Sequence, residues 1–191
     1  MLTTDQWQKN IIDSWRPGSL ILTSGGRLAR QLQHRYRLQQ LENDHNSWHP
    51  LKVRSLNSWL HQSWQDLWES RAPAGFWLRL RLWYEIMRNN PPPADLPLDL
   101  ALCQLLDQTY AVLVRHRLDP TEARLPSPLI AWRQHICREF ISALNDFNRY
   151  HPSELPLKIA EAVNSGRFSL PDSLILAAFE APAPIENDLF R

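Results

Sequence analysis

Glycine is scarce in this chain: five residues in 191, against nine tryptophans and fifteen prolines. That balance argues for helices packed through large side chains and joined at proline corners. An excess of one charge is missing too. With 21 basic and 20 acidic residues the net charge is +1, so bulk charge selects no partner. Any nucleic-acid surface must therefore be local. The two cysteines, Cys103 and Cys137, lie in apolar helical patterns without CxxC spacing. They read as reduced core residues of a cytoplasmic protein. No stretch reads as a signal peptide, and no apolar run approaches the roughly 18 residues of a membrane span. Internal repeats and low-complexity tracts are absent.

Catalytic patterns are also missing. A phosphate-binding P-loop requires G-x-x-x-x-G-K-[ST], with lysine on the phosphates and a hydroxyl on magnesium. Here Gly25-Gly26 is followed by Arg27-Leu28, and the motif occurs nowhere. Phe179-Glu180-Ala181 offers one carboxylate where a magnesium-binding acidic pair needs two. Pro171-Asp172 is followed by no (D/E)-x-K, the second half of a metal-dependent nuclease centre. His45 and His49 are four apart but sit in a loop ended by Pro50, without a third ligand. His135 and Cys137 occupy helix positions that cannot share a face. We expect no catalytic residue, no metal site and no cofactor in this sequence.

The stretch SLILTSGGRLARQLQHRYRLQQL, from Ser19 to Leu41, organises the rest. Ser19 to Thr23 is an apolar run short enough for a buried strand. Ser24-Gly25-Gly26 breaks it, and helical spacing begins at Arg27. Leu28, Leu32, Tyr36 and Gln39 fall on one face. Arg27, Arg30, His34 and Arg37 fall on another, at i, i+3, i+7 and i+10. A strand, a glycine turn and a helix with a basic stripe can meet phosphate, because the turn amides and the helix N-terminus both favour anions. An ordinary β-α unit with a solvated basic face has the same signature. Trp48, in a polar loop beside Lys52 and Arg54, is the best placed tryptophan for base stacking. Trp59, Trp77, Trp83 and Trp132 lie on apolar helical stripes and read as core.

A second, alternating strand covers Leu51 to Ser55 and is expected near a sheet edge. Helices bearing Trp59, Trp64 and Trp68, then Trp77, Trp83 and Tyr84, precede the break at Pro91-Pro92-Pro93. Two long helices follow, over about Leu98 to His116 and Leu129 to Asn148, then a shorter one to Asn164. Ser173 to Phe179 reads as a strongly buried third strand. The fold expected is α/β and helix-dominated, a parallel sheet of about three strands with a large inserted helical subdomain. The α/β portion is expected over 1–56 and 169–191, and the insert over 57–168.

Three blocks carry a family resemblance: ILTSGGRLARQL, SWHPLKVRSLNSWL with Trp64 and Trp68 after it, and LPDSLILAAFEAPAP. Together they resemble the N-terminal, helicase-like region of bacterial AddB/RecC-like probable DNA repair proteins. Those are long chains in which a PD-(D/E)XK nuclease domain follows. Thr23, Arg27, Leu28, Ala29 and Arg30 agree with the family's strand, T-P-N-R-R-L-A-R, helix pattern, and Ser24-Gly25-Gly26 departs from it. Ala178-Phe179-Glu180 stands where the family has Gly-Phe-Asp. The resemblance implies a RecA-like α/β portion whose strand–helix unit touches single-stranded DNA, and inserted helices like subdomain 1B. It also implies the front of a longer chain, whose remainder would be a partner.

Two functions follow as expectations. One is a noncatalytic, DNA-engaging module of a DNA repair or recombination nuclease, with DNA contacts at Thr23, Arg27, Arg30, His34, Arg37, Trp48, Lys52 and Arg54. The other is a structural or protein-interaction scaffold without direct DNA contact. Clustering of the five basic residues Arg27, Arg30, Arg37, Lys52 and Arg54 would favour the first, and scattering the second. Either way the missing P-loop lysine has a direct consequence. Titration with a fluorescent ATP analogue and magnesium should give no saturable binding; a low-micromolar isotherm would contradict this.

Overall fold

The computed structural model describes residues 4–93, 96–122 and 127–190. In chain order the elements are α1 (Thr4–Ser14), β1 (Ser19–Thr23), α2 (Gly26–Glu42), β2 (Val53–Ser55) and α3 (Leu56–Asp66). Next come β3 (Ala72–Pro73), α4 (Phe76–Asn89), α5 (Leu100–Arg115), α6 (Pro128–Asp146) and β4 (Arg149–Tyr150). A short 3-10 turn (Pro152–Glu154), α7 (Leu155–Asn164), β5 (Ser173–Ala177) and α8 (Pro184–Asn187) complete the order. The protein is a helix-dominated α/β fold with one small parallel sheet.

It divides into two units, residues 1–67 with 162–182 and residues 68–161 with 183–191. The first holds the sheet, ordered β2-β1-β5. Both pairings are parallel: Ile21 to Thr23 run beside Val53 to Ser55, and Ser19 to Thr23 beside Ser173 to Ala177. All five residues of the central strand β1 are buried, as an apolar run covered on both faces requires. One face meets α1 and α2 through Ile12, Trp15, Ile21, Ala29, Leu32 and Val53. The opposite face is covered by α3, which packs against β1 and β2. Ser55 starts that helix, its hydroxyl accepting the Ser58 amide at 3.3 Å. With Trp59, Leu60 and Trp64 buried, α3 groups with the sheet, although its residues fall in the stretch expected to be helical insert. Residues 183–191 likewise group with the helices.

The last strand differs from expectation. β5 is an edge strand, with Leu174 and Ile175 half-buried and Leu176 39% exposed. Its apolar run reads as core, but β1 occupies the centre and, among the described residues, only one side of β5 is paired.

The second unit is built on α4, α5 and α6, with β3 and β4 forming a short parallel bridge. At its centre the Trp83 and Phe140 rings stack, centroids 3.9 Å apart, with Tyr110 edge-on to Phe140 at 5.4 Å. Cys103 and Cys137 are buried here as free thiols, and burial pushes Cys137 up to about 11, so it stays protonated and inert. Not every tryptophan joins this core. Trp77 is 73% exposed and Trp68 92% exposed. The helical period puts both near an apolar stripe, but Trp68 lies just past the end of α3 with φ of 52°, and α4 buries Leu80, Leu82, Trp83 and Met87 while leaving Trp77 outside.

A polar cluster is sealed into the same core. Asp107 accepts from Arg79 Nε at 3.0 Å, from Arg79 Nη2 at 3.0 Å and from the Trp83 indole at 3.4 Å. His151 Nδ1 accepts the Ser153 amide at 3.2 Å, so its Nε2 carries the proton toward Asp107, 3.2 Å away. Burial alone would raise the Asp107 carboxyl, but the hydrogen bonds from His151 and Arg79 outweigh it and hold the group at about 2. A carboxylate depressed from 3.8 to about 2 contributes stability above the unfolded value and loses it as pH falls through the folded one. That contribution is of order 2 kcal/mol. Asp107→Asn should therefore cost about 3 kcal/mol near neutrality, because it leaves the Arg79 charge buried without its partner. The gap from wild type should narrow between pH 4 and pH 2, roughly the window in which Asp107 itself protonates. Urea titrations across that range check both the size and the sign.

Candidate nucleic-acid interface

A parallel sheet covered on both faces meets solvent best at the C-terminal ends of its strands. From β1 the chain goes to β2 on one side and later to β5 on the other. The strand order thus reverses at β1, and the crevice beyond its C-terminal end is where open α/β sheets bind ligands. The Ser24-Gly25-Gly26 turn stands there, at the head of α2.

Thr23 holds this turn rather than presenting itself. It is fully buried, and its hydroxyl lies 2.9 Å from the Gly25 carbonyl and 3.3 Å from that of Arg54. Gly25 is the N-cap, in extended backbone that any residue adopts, and no side chain caps the helix. A Cβ at Gly25 would meet nothing within 4 Å. The backbone does not demand glycine here. What the pair provides is access, because Gly26, Arg27 and Leu28 amides precede the first helical bond, from Ala29 to the Gly25 carbonyl. The Arg30 guanidinium folds back over this turn, its Nη1 3.7 Å from the position a Cβ on Gly26 would take. Arg27, Arg30 and Arg37 are exposed, and no described carboxylate pairs with any of them.

The remaining expected residues do not join this group. His34 is exposed but lines a cleft of about 820 Å³ between α1 and α2, with Lys9 and Arg35. Lys52 and Arg54 alternate with Leu51 and Val53, which lie in the α2-side core. Alternation points them to the other face of β2, and together with Leu20, Gln33, Leu51, Val53 and Trp59 they line a hollow of about 420 Å³. Trp48 is half-buried, in a loop whose His49 carbonyl accepts the Tyr36 hydroxyl at 3.0 Å. The five-residue basic cluster is therefore split across the two faces of the sheet. A period-two strand dictates this split, and proximity along the chain concealed it.

Among other expected positions, Glu180 and Asp172 are exposed, and His45 bonds the Gln40 side chain at 2.7 Å. The described residues contain no group of three or more His, Cys, Asp or Glu placed to hold a metal. Sequence reasoning missed one convergence: Asp107, His151 and Ser153 come together in the helical unit. The imidazole nitrogen facing Ser153 already accepts that residue's amide, so the trio caps the 3-10 turn. No helix among the described residues is long and apolar enough to cross a membrane. The chain matches no protein-family model and no curated protein sequence.

Just after β5, beside the α2 turn, Ala178 has a φ of 59°. This left-handed conformation favours glycine. Ala178→Gly should stabilise the fold by about 0.5–1 kcal/mol, the relieved strain exceeding the added chain entropy. Chemical denaturation measures it; an unchanged or lower midpoint would contradict it.

Proposed function

We propose that the chain is a noncatalytic, helicase-like DNA-engaging module of a DNA repair or recombination nuclease, acting with the remainder of a longer chain. The observation that carries this reading is the open, uncapped head of α2 at the strand-order reversal, flanked by Arg27 and Arg30, which pair with no carboxylate among the described residues, with Arg37 further along the helix. Three open amides, the positive end of the helix dipole and guanidinium groups suit a phosphate backbone. Nothing in this arrangement reads base edges, so binding is weak and indifferent to sequence. The resemblance of ILTSGGRLARQL to the helicase-like pattern supports the same reading. The contact set is narrower than the sequence suggests, resting on Arg27, Arg30 and Arg37.

The scaffold reading is favoured by a different feature, the unpaired edge of β5 with Leu176 exposed. A strand edge with apolar side chains is a template for another chain.

Fluorescence anisotropy with a single-stranded oligonucleotide separates the two. Affinity should be micromolar or weaker, and log K should fall against log salt with a slope near 2, about 0.7 for each of three phosphates. Arg27→Glu, Arg30→Glu and Arg37→Glu together should weaken this binding and flatten its salt dependence, and leave stability intact, because Ala29 and Leu32 hold the buried side of α2. Equal binding by wild type and the triple variant would leave α2 a solvated face.

A further inference from the structure

We propose that α4 carries a separate surface for single-stranded nucleic acid, in which bases stack on Trp77 and Tyr84 and phosphates meet Arg81 and Arg88. The four positions follow one another at i, i+4, i+7 and i+11. At 3.6 residues per turn they fall within an arc of roughly 60°. All four are exposed, Trp77 at 73% and Tyr84 at 45%. Between the rings lies a shallow hollow of about 330 Å³ with Leu80 and Cys103 in its lining and Leu100 at its rim. Phe76 braces Trp77 edge-on, centroids 5.2 Å apart, so the indole is supported on one side.

Single-strand surfaces are built from exposed ring faces alternating with cations. Burial cannot explain Trp77, since the core of this unit is complete without it around Trp83 and Phe140. A protein-docking face would carry rings as well, but charge decides between the two. With Arg79 sealed against Asp107, the exposed side of the helix bears two arginines, Arg81 and Arg88, and one glutamate. That glutamate, Glu85, is hydrogen-bonded to Arg81 at 2.7 Å and orients the guanidinium. Arg88 has no described partner. An exposed ion pair of this kind is weak and yields to a phosphate at little cost. This surface rests on its own residues and stands whether or not the head of α2 binds DNA.

Photo-crosslinking of the full chain to an oligothymidylate carrying 5-iododeoxyuridine tests it, with the attached peptide mapped by mass spectrometry. Crosslinks on Trp77 or Tyr84 are expected. Introduced into the α2 triple variant, Trp77→Ala with Tyr84→Ala should weaken the remaining binding by about tenfold per ring removed, without shifting the urea midpoint, while Trp77→Phe retains most of it. Binding of an abasic strand of equal length should not change in the double variant, because it has phosphates but no bases. The α2 triple variant should keep the α4 crosslink. The proposal is overturned if crosslinks fall only outside α4 or vanish in the α2 variant. Affinity unchanged when both alanines are added to the triple variant overturns it equally and makes the ring stripe a protein contact.

Discussion

The complete burial of β1 is the constraint on which the sheet unit depends. A strand with five apolar or hydroxyl residues in line can be satisfied only at the centre of a sheet, with neighbours on both edges and helices on both faces. β2 and β5 supply the edges, α2 and α3 the faces. Once these are in place, the chain leaves the sheet at the C-terminal end of β1 and reaches the exposed Ser24. Thr23 turns the chain there through two carbonyl contacts, and the glycine pair leaves the first amides of α2 uncovered. Fold and candidate site are thus consequences of one requirement.

The helical unit solves a different problem. It buries a charge, Asp107, at the junction of α4, α5 and the segment after β4, and neutralises it with Arg79 while Trp83 and His151 fill the remaining acceptor positions. Such a cluster contributes modest net stability, because desolvation offsets much of the attraction. It does restrict how the helices can register, since only one alignment brings all three donors to the same carboxylate. The aromatic stack of Trp83, Phe140 and Tyr110 then closes around it. The rings that do not fit this arrangement, Trp77 and Tyr84, are left exposed beside Leu80 at the margin of the buried face of α4.

Much of the fold was legible because its signals are local. Ser19 to Thr23 is too short for a helix and too apolar for a loop, and Leu28, Leu32 and Tyr36 show helical period at once. What was not legible depends on partners. Ser173 to Ala177 has the same apolar run as a central strand, and only the sheet order reveals an edge. Trp77 and Trp83 sit six residues apart on one amphipathic helix, and only the packing of α5 and α6 buries one of them. For the site, the basic stripe of α2 was visible, yet Lys52 and Arg54 were grouped with it by closeness in sequence. Alternation along β2 sends them to the other face. The Asp107 cluster was invisible because its members are 28 and 44 residues apart, and no periodicity links them.

The central claim is that the uncapped head of α2 is a phosphate-binding site made by the burial of β1. Amide chemical-shift titration reads it directly. With ¹⁵N-labelled protein and a short single strand at low salt, the earliest and largest shifts should fall on Gly26, Arg27 and Leu28. They should reverse when salt is raised. Binding that leaves these three amides unmoved would contradict the account.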